Sequence, residues 1–346
     1  MNESTPQTRQ SGFPLTALRL RFACRAVSDL DLGGLRAGMR LRGALLNVMN
    51  RSICALSPFA PAERLRMDPQ HVQNCPVCWL QLYEPRPGEV RRAYVLQPPI
   101  HLPARLPAGT PFSFVITLLG EGQNYLPYFL LAVHEVGEVG VGKGRGRFQL
   151  QQATAEYPDG QSALVWSEDE PVVRLPQRRI EHRDAAEWAE RMKERLNGAE
   201  SLILSFPTPL RIVNEDRLLK TPRFEAVFDA LLKRLDDLAE AYAGGYRRAY
   251  DERVRLRQLA RQVQLVENHT EWMELSSSSS RSGRETWISG LVGRAVYQAP
   301  VEVWQVLGEW LAWAEIVQVG KDTVKGNGVV TFDWRITAQN GCLPVD

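Results

Sequence analysis

Hydrophobic and polar positions follow one order of strand-like and helix-like segments twice along the chain. In the first half, residues 15–24 alternate as a strand does, with Leu18, Leu20 and Phe22 on one side. Residues 35–54 repeat with a helical period and keep a narrow polar stripe among apolar positions. The later segments of this half are predicted as strands over residues 94–97, 112–119 and 147–150 and as a helix over residues 125–136.

The second half repeats the order strand, helix, strand, strand, helix, strand, which is the ferredoxin-like arrangement. Its predicted strands cover residues 201–206, 267–275, 287–297 and 328–334, and its helices cover residues 224–243, continuing or restarting through 246–263, and 300–314. We therefore predict an α+β fold of two tandem ferredoxin-like (βαββαβ, RRM-like) halves. The predicted division is a disordered tail at 1–12, a first half at 13–155, a connecting segment at 156–199 and a second half at 200–346.

Two segments lack a regular period. Residues 57–86 are rich in proline and are predicted to be irregular. Residues 276–284 are mostly serine, and we predict that they form a mobile loop tip between two strands. The connecting segment at 156–199 is polar, and we expect one hairpin and a short helix within it.

Length and composition set the class of protein. The 346 residues are 44% hydrophobic and 24% charged, which is typical of a globular chain with about two domains. No apolar run reaches the roughly 18 residues of a membrane span, and the polar N-terminus does not resemble a secretory signal. Five cysteines do not make a disulfide framework. These features predict a cytoplasmic protein without membrane association.

Charge is balanced overall but uneven locally. The net charge is +2, yet residues 247–261 contain six arginines against two acids, and residues 142–147 contain three cations and no acid. A locally basic surface attracts phosphates even on a nearly neutral protein. The alternative is a solvated helix face.

Two glycine-rich loops, at residues 137–148 and 319–330, each follow a helix and precede a strand. A nucleotide P-loop has the reverse order, and its lysine is followed by Ser or Thr. Here Asp322 follows Lys321, so we exclude that reading. The loops are predicted either to cap their helices or to present amides and cations to a backbone phosphate.

The order of these segments resembles the CRISPR repeat-RNA-processing endoribonucleases of the RAMP superfamily. The C-terminal signature of that family is a glycine-containing strand, a helix and a loop of the form Val-Gly-Lys-x-Thr-x-x-Gly-x-Gly. This chain has Ser-Gly-Leu-Val-Gly-Arg at residues 289–294 and Val-Gly-Lys-Asp-Thr-Val-Lys-Gly-Asn-Gly at residues 319–328. Further segments that resemble the family lie at residues 40–45, 94–99, 125–132 and 207–211.

The resemblance implies a function. Members bind CRISPR repeat RNA and cut it once without a metal, as the ribose 2′-OH attacks the adjacent phosphate. The products carry a 2′,3′-cyclic phosphate and a 5′-OH. The enzyme is expected to stay on the processed guide, the crRNA, and to join other subunits of a CRISPR effector complex.

Site residues follow from the same resemblance. The family usually places a catalytic histidine on or near its first helix, but residues 35–54 contain none. We therefore predict catalytic roles for His71, the nearest histidine, and for Arg40 and Arg51 on the polar stripe of that helix. The predicted RNA-binding residues are Arg36, Lys143, Arg145, Arg147, Arg247, Arg248, Arg281, Arg284, Lys321 and Lys325.

Alternatives remain for the site and for the function. We predict no cofactor, but Cys75-Pro-Val-Cys78 is half of a zinc-binding pattern that Cys54 and His71 would complete. His71 is then a ligand instead of a base. For the whole chain, the alternatives are a catalytically inactive crRNA-binding subunit and a protein-interaction scaffold. The nine tryptophans would suit the interface of such a scaffold.

Overall fold

The computed structural model describes residues 12–54, 56, 68–84, 91–142, 144–195, 201–278 and 285–335. Within them the principal strands form two larger antiparallel sheets, one in each half. Three two-stranded sheets join shorter strands: Leu30–Asp31 with Arg105–Leu106, Val213–Asn214 with Arg217–Leu218, and Ser276–Ser278 with Glu285–Trp287. In this part of the chain, no helix is both long and apolar enough to cross a membrane.

The first half is a five-stranded sheet with the strand order β3-β5-β1-β6-β7. Its first four strands have the order second, third, first, fourth, which is the ferredoxin-like topology. The elements are β1 (Ala17–Ala26), β2 (Leu30–Asp31), α1 (Ala37–Ser52), α2 (Pro69–Asn74), α3 (Pro76–Leu82), β3 (Tyr94–Gln97), β4 (Arg105–Leu106), β5 (Pro111–Leu119), α4 (Leu126–Val139), β6 (Phe148–Glu156), β7 (Ser162–Ser167) and α5 (His182–Arg195).

The second half has a four-stranded sheet with the order β11-β14-β8-β15, which is the same topology again. The predicted class of two tandem ferredoxin-like halves is therefore confirmed. The elements are β8 (Ser201–Leu210), β9 (Val213–Asn214), β10 (Arg217–Leu218), α6 (Phe224–Tyr242), α7 (Tyr250–Ala260), β11 (Gln264–Met273), β12 (Ser276–Ser278), β13 (Glu285–Trp287), β14 (Gly290–Gln298), α8 (Val301–Val317) and β15 (Thr331–Arg335).

The period-two pattern of β1 decides which side of the first sheet is buried. Leu20 and Phe22 are fully buried, and Arg19 and Arg21, which alternate with them, lie on the opposite face. Phe22 pairs with Phe114 of β5 across the strands, and the two rings stack with centroids 5.3 Å apart. Such cross-strand aromatic pairs fix the register of the sheet.

The proline-rich segment is partly helical, so the prediction of an irregular course over residues 57–86 is wrong for residues 69–82. A proline begins each of the two short helices, α2 and α3. Proline suits this first position because its missing N–H has no partner in a helix. The side chain of Asp68 also caps α2, where its Oδ1 accepts from the His71 backbone N–H at 2.9 Å.

The segment predicted as a connector contains regular structure. Strand β7 pairs with β6 as the fifth strand of the first sheet, and α5 packs against α8 of the second half. In the serine-rich segment, Ser276–Ser278 pairs with Glu285–Trp287 instead of lying in a loop. The predicted tail at 1–12 lies outside the described residues except for Gly12.

The two halves share one hydrophobic core and are joined by hydrogen bonds. Gln318 donates from Nε2 to the Leu96 carbonyl at 2.9 Å, and the Tyr242 hydroxyl donates to the Arg91 carbonyl at 2.6 Å. Arg91 also forms an ion pair of 2.7 Å with Asp237 of α6. Buried and partly buried contacts of this kind hold a defined geometry between the halves.

His182 makes the stability of this core dependent on pH. Its Nδ1 accepts from Trp313 Nε1 at 3.1 Å, and its ring stacks on Trp310. Burial, and then the charge of Arg248, lower the pKa of His182 from 6.5 to about 4. Glu309, 3.6 Å from Nε2, would favour a proton, but burial outweighs it.

We expect this histidine to destabilise the protein in mild acid. Because its folded pKa is depressed, its contribution is fully present above pH 6.5 and is lost as the pH falls towards 4. In urea titrations at several pH values, the free energy of unfolding should fall less on acidification for His182→Gln than for wild type. His134→Gln, at an exposed histidine of α4, is the control, and its free energy of unfolding should fall as much as that of wild type. Equal losses in all three proteins would contradict the assignment.

Candidate nucleic-acid interface

The loop that follows α8 is closed on itself. The Val319 N–H donates to the Gly328 carbonyl at 2.8 Å, which brings the two ends of the loop together. Gly328 has a φ of +71°, and a Cβ on it would lie 1.8 Å from the Val319 carbonyl oxygen. Only glycine fits at a position that has a left-handed backbone conformation and so close a neighbour, which accounts for Gly328 at the end of this loop.

A buried arginine holds this loop from beneath. Arg234 of α6 donates from Nε to the Val317 carbonyl at 2.8 Å and from Nη2 to the Thr323 hydroxyl at 2.9 Å. Burial, and then the nearby Arg91, lower the pKa of Arg234 to about 9, so it remains a cation at neutral pH. Charged donors make strong hydrogen bonds, so the end of α8 and the middle of the loop are fixed to α6.

The loop packs on the first helix of the other half. A Cβ on Gly38 of α1 would lie 2.2 Å from the Lys325 carbonyl oxygen and 2.7 Å from Gly326 Cα. The two backbones therefore touch across the boundary between the halves. Arg36 is exposed at the start of α1, and Lys325 forms an ion pair of 2.8 Å with Asp322.

The second glycine loop reaches the same place from the other side. A Cβ on Gly142 would lie 2.0 Å from the Asp31 carbonyl oxygen and 3.6 Å from Arg40 Nη1. Arg40 donates from that nitrogen to both the backbone and the carboxylate oxygen of Asp31 at 2.6 Å, which lowers the pKa of that carboxyl. Arg145 is exposed in the same turn. We call Arg36, Arg40, Arg145 and Lys325 the helix-start surface.

The remaining predicted cations occupy different places. Arg51 is exposed near the far end of α1, 11 residues from Arg40 and therefore roughly 16 Å away along the axis. Arg147 and Lys321 are exposed in the two glycine loops, and Lys321 donates its N–H to the Arg211 carbonyl. Lys143, Arg281 and Arg284 lie outside the described residues.

The arginine-rich segment at 247–261 is paired with acids instead of forming an open basic face. Arg248 has a fully buried side chain that binds Asp236 at 2.9 Å and Glu252 at 2.6 Å. We therefore remove Arg248 from the predicted RNA-binding set. Arg247 is exposed but pairs with Glu240 at 2.7 Å. The acids of α6 that neutralise this segment come from another part of the sequence, which a count of local charges does not include.

His71 faces cysteines in this structure. Its Nε2 lies 3.5 Å from Cys54 Sγ and 3.3 Å from Cys78 Sγ. Burial raises the pKa of both Cys75 and Cys78, and neighbouring thiols add to the effect. His71 Nε2 is thus directed at two sulfur atoms beside the end of α1, and not at the helix-start surface.

Sequence reasoning missed the residues that support this surface. Arg234 lies three residues after Leu231 and four before Leu238, both buried, so a lone arginine within an apolar stripe was a detectable signal. Asp31 and Gly38 carried no comparable signal, because their partners come from distant loops.

Comparisons with known proteins agree with this architecture. A family model described as CRISPR-associated endoribonuclease Cas6 matches residues 204–330, and another, AF_1859_N, described as an N-terminal domain, matches residues 14–180. No curated protein matches the chain. Thermus thermophilus Cas6 (TTHB231) is similar in structure, with a TM-score of 0.53 and 14% identity, over 92% of this chain and 98% of that chain.

Two further structures share the fold. The Cas6 (TTHB231) product complex has a TM-score of 0.52 at 14% identity, over 91% of this chain and 98% of that chain. A partial Cas6-RT-Cas1–Cas2 complex has a TM-score of 0.59 at 10% identity, over 97% of this chain and 49% of that chain.

Proposed function

Because this chain is a member of the CRISPR repeat-RNA-processing family that includes the Cas6 endoribonucleases, we propose that it binds CRISPR repeat RNA and cleaves the precursor transcript into guide RNAs. The reaction is attack of a ribose 2′-OH on the adjacent phosphate. It forms a 2′,3′-cyclic phosphate and releases a 5′-OH, and it requires no metal ion. The protein would act in the cytoplasm, where such transcripts are made.

One observation carries this proposal: the C-terminal glycine loop lies directly on the start of α1 through Gly38 and Gly326. A short 3-10 turn over Gly34–Arg36 leads into α1, and the Ala37 N–H already donates to the Gly34 carbonyl. Attraction of an anion to this place therefore depends on cationic side chains. Arg36, which is exposed, and the half-buried Lys325 place positive charge there, and positive charge attracts phosphate. A backbone phosphate of RNA would therefore meet Arg36 and Lys325 at the start of α1.

We assign stabilisation of the transition state to this helix-start surface. The phosphate gains negative charge as the 2′-oxygen attacks, and fixed cations lower the energy of that state. Arg40, held by two bonds to Asp31, supplies an oriented guanidinium, and alignment of the RNA supplies further rate. Arg51 is too far along α1 to contact the same phosphate and would bind another part of the RNA.

A second candidate is an RNA-binding subunit without catalytic activity. It is favoured by the lack of a histidine in α1 and by the orientation of His71 Nε2 towards two thiols. Both candidates bind RNA through the same surface, so cleavage alone separates them. One structural neighbour is a Cas6-RT-Cas1–Cas2 complex, and by analogy we propose other CRISPR proteins as partners.

Single-turnover cleavage of labelled repeat RNA, with EDTA present, tests the proposal. The repeat comes from CRISPR arrays of the same genome. We expect one cut that leaves a 5′-OH, and no cut when the attacking nucleotide is a 2′-deoxynucleotide. The double variant Arg36→Ala, Lys325→Ala should cleave about 10²-fold more slowly, since it removes cations from the phosphate.

One control and two alternative outcomes complete this test. Arg183→Ala, an exposed arginine of α5 outside the surface, should cleave as wild type does. RNA that is bound but never cut would support the inactive subunit, and RNA that is not bound would support the scaffold. Binding should also weaken steeply as salt rises, because phosphate contacts release counterions.

A further inference from the structure

Three cysteines and one histidine converge beside the end of α1. Cys54 follows α1, His71 lies in α2, Cys75 joins α2 to α3, and Cys78 lies near the start of α3. Their ligand atoms, one from each side chain, lie within 4.8 Å of one another. The cysteines are buried and free of disulfides, so the cluster combines three thiols with an imidazole in a protected place.

The separations match a tetrahedral zinc site. With Zn–S near 2.3 Å and Zn–N near 2.0 Å, two sulfurs lie about 3.8 Å apart and a sulfur lies about 3.5 Å from nitrogen. Cys54 Sγ is 3.7 Å from Cys78 Sγ, and His71 Nε2 is 3.5 Å and 3.3 Å from these two sulfurs. These three distances have the lengths of tetrahedron edges.

The local fold positions the ligands before any ion binds. Asp68 caps α2 and thereby holds the backbone of His71 in the first turn. Cys75 is extended and is both the C-cap of α2 and the N-cap of α3, which Pro76 begins. Cys78 therefore lies in the first turn of α3, three residues after Cys75.

We propose that Cys54, His71, Cys75 and Cys78 bind one structural Zn²⁺. Four protein ligands leave no open position for water, so the ion would stabilise the fold and would not hydrolyse RNA. Thiolates and imidazole also suit Zn²⁺ better than Mg²⁺ or Ca²⁺, which prefer oxygen ligands. The proposal is independent of the RNA function, because its primary evidence is bound metal.

The ion would fix α2 and α3 against both halves. Trp79 of α3 stacks on Tyr83 at 5.5 Å and lies 4.8 Å from the Tyr125 ring and 5.6 Å from the Tyr242 ring of α6. The short helix α3 is held in place by Cys54 and Cys78 at one end and by these rings along its length. Short helices of this length are not stable alone, so a metal would contribute directly to their folding.

Metal content tests the proposal. Wild-type protein incubated with excess Zn²⁺ and desalted should retain one zinc per chain by elemental analysis. Cys78→Ala should lose it, whereas Cys24→Ala, at a buried cysteine of β1 outside the cluster, should keep it. Replacement by Co²⁺ should produce the visible absorption of a tetrahedral thiolate site. Folded wild-type protein that retains no zinc and shows no such absorption would overturn the proposal.

Two substitutions of His71 test its place in the metal site. Cysteine is also a zinc ligand, so His71→Cys should retain zinc, while His71→Ala should hold zinc less tightly than wild type does. If His71→Ala holds zinc as tightly as wild type, His71 is not a ligand and the four-ligand site is refuted. If wild type fails to cleave RNA but holds zinc, the RNA proposal fails and this one stands.

Discussion

Asp236→Ala is expected to lower the free energy of unfolding by about 3 kcal/mol, because it leaves a buried arginine without its main partner. Arg248 has no exposed side-chain surface, and its Nε donates to Asp236 at 2.9 Å. The guanidinium lies 4.0 Å from the centre of the Trp310 ring, in the core that joins α6, α7 and α8. Glu252 remains as a second partner, which keeps the loss at the lower end for a broken buried pair.

The same helix offers a matched control. Asp229 of α6 pairs with Arg257, but both side chains are more than a third exposed, at 37% and 45%. Asp229→Ala should therefore cost less than about 1 kcal/mol in the same urea titration. The double variant Asp236→Ala, Arg248→Met should recover part of the loss, since no charge then remains buried. Equal costs for Asp236→Ala and Asp229→Ala would contradict the buried-pair interpretation.

Gly38→Ala is expected to destabilise the protein by about 1–2 kcal/mol, although alanine is the better helix former. Helix propensity alone would raise stability by up to about 1 kcal/mol. The new methyl group would, however, lie 2.2 Å from the Lys325 carbonyl oxygen, and overpacking against backbone costs about 1–3 kcal/mol. Both neighbours are backbone, so the glycine loop has to move away from α1.

The displaced loop should also slow the proposed cleavage, since it separates Lys325 from Arg36. Gly43→Ala is the control in the same helix, because a Cβ there has no atom within 4 Å. We expect Gly43→Ala to raise stability by about 0.5–1 kcal/mol and to leave RNA cleavage unchanged. Thermal unfolding and the single-turnover assay measure both effects. If the two variants respond alike, the contact between loop and helix does not constrain either half.

Local pattern was sufficient for the order of elements. The alternation in β1 and the helical periods of α1, α6 and α8 identify each element within a few residues of its observed bounds. Periodicity works because it depends on neighbours within one or two turns. It did not reveal α2 and α3, where proline was interpreted as a breaker although it begins both helices.

The candidate site was predicted only in part. The glycine loops and Arg36 were identified from spacing and resemblance, and the metal alternative was noted from Cys75 and Cys78. Arg248 was assigned to a basic surface because its local sequence is basic, but Asp236 neutralises it from another helix. Arg234 was overlooked because its partner, Thr323, is 89 residues away.

The order of strands and helices, the doubled topology and the resemblance to an RNA-processing family were all contained in the linear pattern, since each depends on short-range period and spacing. Contacts between distant segments decided which arginines are exposed to solvent, which glycines touch another backbone and which atoms His71 faces. A charge or a ring nitrogen acquires its role from its nearest partners in space, and those partners are chosen when the two halves pack together.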